Sequence, residues 1–173
     1  MPRDFLAHPE DLIRRVYSYA AYRLGDGPDA EDATSDAFER ALRYRESFDP
    51  RKGTPLAWMI GIARRSVDDL LAARTPLVAE PPDVPTDDRD SVLHIDLSRA
   101  VERLEERDRE LVALRYGADL TAKQIAAQLE MKTNAVEVAL HRALARLRHE
   151  LGRDERRPRG ELRPRPAVRR ETR

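Results

Sequence analysis

LTAKQIAAQLEMKTNAVEVALHRALARLRHEL, from Leu120 to Leu151, reads as two helices in close succession. Thr121 and Gln124 have the spacing of a capping box, in which each side chain satisfies a free backbone N–H of the other residue. Ile125, Ala126 and Leu129 then share one face. After a turn over Glu130 to Lys132, Thr133 or Asn134 can cap a second helix. Its apolar residues Val136, Leu140, Ala143 or Leu144, Leu147 and Leu151 recur at steps of three and four, the period of a buried stripe, and Gly152 is a stop signal. A short capped helix, a turn and a longer helix form the helix-turn-helix pattern, whose second helix enters the DNA major groove. An ordinary antiparallel helical hairpin has the same spacing, so the pattern alone leaves both readings open.

Upstream, Arg107 to Tyr116 is a further helix burying Leu111, Val112 and Leu114 and ending at Gly117. Before it, Ser91 can cap a helix whose apolar positions are Val92, Ile95, Leu97, Val101 and Leu104. Residues 91–151 thus make a four-helix second domain. Residues 75–90 contain Pro76, Pro81, Pro82 and Pro85 among several acids with no apolar period, the composition of a flexible linker. The N-terminal part, residues 1–74, holds three helices. The first, from about Pro9 to Leu24, places Leu12, Ile13, Val16, Tyr19, Ala20 and Tyr22 or Arg23 on its apolar side, and Gly25-Asp26-Gly27 ends it. Pro28 with Asp29, Glu31 and Asp32 opens the second, as a positive helix N-terminus prefers. Its buried stripe is Ala33, Ala37, Phe38, Ala41 and Leu42. Thr54-Pro55 starts the third, with Leu56, Ile60, Ala63, Val67, Leu70 and Leu71 facing a core. The fold class is all-α: two small helical domains with the helix-turn-helix in the second.

Composition narrows the function. Charged residues make up 37% of the chain and there is no cysteine, which excludes disulfides, thiol catalysis and thiolate metal sites. No apolar run approaches a membrane span and no signal segment opens the sequence, so the expected setting is the cytosol, without membrane insertion. The net charge is zero but unevenly spread. Residues 1–74 carry 12 basic and 13 acidic side chains, 75–96 carry 1 and 6, 97–151 carry 10 and 9, and 152–173 carry 9 and 4. The basic tail, residues 152–173, is expected to be disordered. Phosphate attraction dominates non-specific DNA affinity, so two nearly neutral domains point to a partner that brings them to DNA.

Enzymatic constellations are thin. His141 and His149 with Glu137 sketch a metal site, but no further ligand converges on it, and a solvated or DNA-facing surface explains them better. Gly25-Asp26-Gly27 lacks the lysine and spacing of a phosphate loop. No nucleophile–base pair can be assembled, and the chain reads as a non-enzyme without metal or cofactor.

The order of parts resembles the extracytoplasmic-function (ECF) group of bacterial sigma factors. Three motifs carry the resemblance: DAEDATSDAFERAL (29–42), FDPRKGTPLAWMIGIARRSVDDLL (48–71) and LEERDRELVALRYGADLTAKQIAAQLEMKTNAVEVALHRALARLR (104–148). The resemblance implies that the first docks on the β′ subunit of core RNA polymerase, the second melts and reads the −10 promoter element, and the third reads the −35 element. It further implies promoter DNA and the polymerase β and β′ subunits as partners, and an anti-sigma factor, which many family members have. The implied polymerase-binding positions are Asp32, Ser35, Asp36, Glu39 and Arg40, with Ser35 where the family usually has glutamine. For the −10 element they are Trp58, Arg64, Arg65 and Asp68; an aromatic face stacks bases and guanidinium groups pair phosphates. Trp58 is equally read as a core residue, and Arg65 stands where the family often has asparagine. For the −35 element they are Lys132, Thr133, Asn134, Glu137, Val138, His141 and Arg142. Glu137, Val138 and Ala139 replace the family's common Lys, Ser and Arg. Glu137 either pairs with His141 one turn on or accepts a hydrogen bond from a cytosine N4. Two other functions fit less of the chain: a stand-alone helix-turn-helix regulator, which would need a dimerising face, and a protein-binding adaptor with a degenerate reading helix.

Overall fold

The computed structural model describes residues 9–74 and 89–155, and every regular element there is helical. The helices are α1 (Pro9–Leu24), α2 (Pro28–Tyr44), α3 (Pro55–Ala73), α4 (Arg89–Glu102), α5 (Glu106–Val112), α6 (Ala122–Leu129) and α7 (Thr133–Glu155). Most of the expected linker (75–88) and tail (156–173) falls outside the described residues.

Local chemistry sets the boundaries. Thr54 Oγ1 accepts from the Ala57 N–H at 3.2 Å and Pro55 begins α3, a hydroxyl cap followed by a ring that needs no N–H partner. The Thr121–Gln124 capping box is complete: Gln124 N–H donates to Thr121 Oγ1 and Thr121 N–H to Gln124 Oε1. Glu130, left-handed at φ 53°, turns the chain out of α6.

Four expectations are corrected. Arg89 and Asp90 are already helical, so α4 starts two residues before Ser91. The Lys132 carbonyl accepts the first helical bond of α7 from Val136 N–H, so Lys132, rather than Thr133 or Asn134, holds the capping place. Gly152 does not stop α7, which runs on to Glu155; glycine disfavours a helix interior by only about 1 kcal/mol. Ile13 and Leu42, read as core, are 46% and 55% exposed, because Val16, Tyr19 and Ala20 of α1 and Ala37 and Ala41 of α2 take the contact stripe.

The helix after α4 also differs from a simple one. Its last residues, Ala113–Gly117, form a π-helical turn in which the Ala118 N–H donates to the Ala113 carbonyl. This turn packs on α1. A Cβ at Gly117 would sit 2.9 Å from Tyr19 Cα and 3.0 Å from the Ser18 carbonyl oxygen, so only glycine permits the approach. The larger core therefore runs through both halves of the chain, joining Val16, Tyr19 and Met59 to Leu111, Leu114, Ile125 and Val136. A smaller cluster, Ala100, Val101, Leu104, Val112, Ala143 and Leu147, ties α4 to α5 and α7.

Candidate nucleic-acid interface

The outward face of α7 follows from its buried stripe. Val136, Leu140, Ala143 and Leu147 point inward, so the positions between them must face solvent. Lys132, Thr133, Asn134, Glu137, Val138, His141 and Arg142 are all exposed, Val138 by 50% despite its apolar side chain. No ion pair joins Glu137 to His141 among the described residues. Beside this face lies a groove walled by Arg107, Met131, Val138, Arg142 and Arg146. Asp108, itself buried, pairs with Arg146 and holds that guanidinium more basic than usual through their hydrogen bond. Arg107 and Arg146 were not singled out in the sequence; for Arg146 the signal is its i, i+4 spacing from Arg142 on α7, whereas Arg107 reaches the groove from α5 and has no local signal.

The second candidate face lies on α3 and the loop before it. Trp58 is half-buried, resolving the two readings as neither core nor free: its ring meets Phe48 edge-on, centroids 5.7 Å apart. Phe48 opens the 48–71 motif but was not among the positions expected to contact the −10 element. Trp58, Phe48, Lys52, Arg65 and Asp68 line a cleft of about 910 Å³. Its opposite wall is α6, with Lys123, Gln124 and Gln128. Arg65 and Asp68 are exposed, and Asp68 accepts from the Arg23 guanidinium at 3.2 Å. Arg64 is turned toward the C-terminal half. Its Nε donates to Glu110 at 2.7 Å and another guanidinium nitrogen to the Gln128 carbonyl at 2.8 Å. Trp58, Arg64 and Arg65 all line this cleft; the Arg64 guanidinium is tied to Glu110 and the Gln128 carbonyl, whereas Arg65 is exposed.

The third face is on α2. Asp32, Ser35 and Glu39 are exposed, whereas Asp36 and Arg40 are half-buried and pair with each other at 2.8 Å. Arg40 also pairs with Asp69 of α3 at 2.8 Å, so its charge is already matched within the chain. That leaves the free character of this face acidic and polar. No group of His, Cys, Asp or Glu among the described residues is arranged to hold a metal, and no described helix is long and apolar enough to cross a membrane.

Comparison with known proteins places these faces in a family. The Sigma-70 region 2 family matches residues 10–76, and the Sigma-70, region 4 family matches residues 94–147. The chain is 32% identical over 143 residues to the ECF RNA polymerase sigma factor BldN of Streptomyces coelicolor, covering 76% of this chain and 54% of that protein. It is 29% identical over 150 residues to the ECF RNA polymerase sigma factor SigK of a Mycobacterium species, covering 80% of this chain and 78% of that one. Its fold is similar to that of the sigma factor RpoE solved with the anti-sigma factor NepR from Bartonella quintana, with a TM-score of 0.66, 19% identity and coverage of 88% and 99%. CnrH, solved with the cytosolic domain of CnrY, gives 0.61 at 24% identity, covering 89% of this chain and 91% of that one.

Proposed function

The chain belongs to the ECF group of RNA polymerase sigma factors, proteins of transcription initiation, and from that premise we propose a division of labour among its three faces. Residues 1–74 carry polymerase docking and −10 recognition, 75–90 connect, 91–151 read the −35 element, and 152–173 add basic charge. The observation that carries this reading is the exposed set formed by Lys132 at the cap and Thr133, Asn134, Glu137, Val138, His141 and Arg142 on the long helix of a capped helix-turn-helix. A helix presented in this way fits the major groove. Asp32, Ser35, Asp36, Glu39 and Arg40 dock on core polymerase, with the acidic Asp32 and Glu39 making the main charged contacts. Trp58 stacks an unpaired base against its Phe48-supported ring, with Arg65 on the neighbouring phosphates. The chain supplies no chemistry of its own; bond making belongs to the polymerase, which also sets its workplace in the cytoplasm. An anti-sigma polypeptide is a fitting regulator, since the similarly folded RpoE was solved in complex with the anti-sigma factor NepR.

Reversal of Asp32 and Glu39 to Arg tests the docking assignment. Core polymerase immobilised through its own subunits should retain wild-type chain and lose the double variant, with the helical circular-dichroism signal unchanged. Equal retention of both proteins would remove α2 from the docking surface.

A further inference from the structure

Tyr44, at the end of α2, belongs to neither hydrophobic cluster and is 54% exposed. Its surroundings give the ring a use. Beyond the Trp58 cleft a second hollow, about 310 Å³, opens between α2 and α3, and Tyr44 and Arg65 line both spaces. On α3, Trp58, Ile62 and Arg65 follow at steps of four and three, one stripe roughly 10 Å long. Ile62, half-buried, lines the second hollow together with Tyr44. The charges there are unequal. Asp36 is matched by Arg40 at 2.8 Å, and Arg40 is matched again by Asp69 at 2.8 Å. Arg43 and Arg65 are exposed, and among the described residues no carboxylate pairs with either. Against these two guanidinium groups stands one exposed acid, Glu39. An aromatic face beside an apolar wall and unpaired cations suits an unpaired nucleotide, since bases stack on rings and phosphates pair with guanidinium groups.

We propose that Tyr44 is a second stacking residue for single-stranded DNA, in a hollow of its own between α2 and α3. A base beyond the one on Trp58 lodges against the Tyr44 ring and Ile62, while Arg43 and Arg65 take the phosphates on either side. The inference rests on the assignment of α3 to the −10 element given above and adds a site to it. Continuity argues for a nucleic-acid occupant rather than a protein one: the hollow shares Tyr44 and Arg65 with the Trp58 cleft, so one strand can run through both. Stacking uses the ring and not the phenol hydroxyl, so the contact tolerates any base and would survive loss of that hydroxyl.

The test uses the full chain assembled with core polymerase and a fluorescent random-sequence single-stranded 12-mer DNA, with core polymerase alone as the baseline. Tyr44→Ala should lose about tenfold of the strand affinity that the chain adds, and Tyr44→Phe should keep it. Duplex DNA of the same length should bind Tyr44→Ala as it binds wild type, because its bases are already stacked. Arg43→Gln should flatten the plot of log affinity against log salt by about 0.7, the share of one phosphate on a single strand, whereas Tyr44→Ala should leave that slope unchanged. Retention on immobilised core polymerase should be the same for every variant. Wild-type strand binding by Tyr44→Ala overturns the proposal, as does an equal loss in Tyr44→Phe. Reduced retention of Tyr44→Ala on core polymerase also overturns it, and makes Tyr44 a protein contact. Failure of the underlying assignment looks different: strand binding that is indifferent to Trp58→Ala removes α3 from strand reading, whereas loss in Trp58→Ala with none in Tyr44→Ala removes the second site alone.

Discussion

Arg23→Met should destabilise the chain by about 2 kcal/mol, and the structure says where that comes from. The guanidinium is only 3% exposed, donates to the Tyr19 hydroxyl at 3.0 Å, and pairs with Asp68 at 3.2 Å, Glu110 at 3.4 Å and Glu106. Asp68 and Glu106 are more than half exposed, so solvent screening leaves little of those two pairs. Glu110 is 19% exposed but keeps Arg64 as a partner, and the Tyr19 hydroxyl is left without the donor it now accepts from. Hydrogen bonds to charged groups contribute about 1.5–3 kcal/mol. Methionine retains the apolar stem and spares the desolvation of a buried cation, which offsets part of the loss and gives the net of about 2 kcal/mol. For a chain of this size that corresponds to a fall in Tm of roughly 4–8 °C, measured by circular dichroism at 222 nm with urea titration as a check. Because Arg23 links α1 to α3 and α5, the loss should also make the single unfolding transition broader or split. A Tm within 1 °C of wild type, or above it, would refute the reasoning, showing that burying the cation costs as much as its partners return.

Three further outcomes are expected. Glu137→Ala should relax preference at one base pair of the −35 element by about 1–3 kcal/mol of discrimination in a binding-site selection; an unchanged base profile with uniformly tighter binding would rule out direct readout. Burial holds the Tyr19 phenol well above its ordinary value, so the unfolded chain ionises there first. A raised folded pKa contributes stability that is present below about pH 10 and lost as pH rises further, and Tyr19→Phe should flatten that alkaline loss in urea titrations; an unaltered slope between pH 9 and about 11 would contradict it. Thr121→Ala removes the hydroxyl that accepts from the Gln124 N–H, while the backbone N–H of residue 121 can still donate to Gln124 Oε1, and should cost about 1 kcal/mol, read by the same titration. A change below the scatter of replicate titrations would show that other contacts hold α6 in place.

The legible parts of the molecule were those written in local chemistry. Thr54-Pro55 and Thr121 with Gln124 are short-range signals, and both helix starts fall where these residues put them. The inward stripe of α7 is a period, and its complement leaves Thr133, Asn134, Glu137, Val138, His141 and Arg142 among the outward residues, while the choice of these positions for the −35 element came from the family resemblance. What stayed hidden depends on contacts far apart in sequence. Gly117 reads as a helix stop, yet its role is to let the π-helical turn touch Tyr19, some hundred residues away. Arg64 and Arg65 are adjacent and identical in type, and only the position of Glu110 separates the tethered one from the free one. Ile13 and Leu42 show the converse: apolar character marks a candidate core position, but the neighbouring helices decide which side of the stripe is covered.

The central claim is that the chain gives core RNA polymerase promoter specificity. Run-off transcription by core polymerase on a pool of genomic promoter fragments, with and without the chain, measures it directly. Discrete new transcripts are expected that share a pair of upstream elements, appear only when the chain is added, and vanish with the Asp32→Arg/Glu39→Arg variant. Transcripts identical to those of core polymerase alone would contradict it.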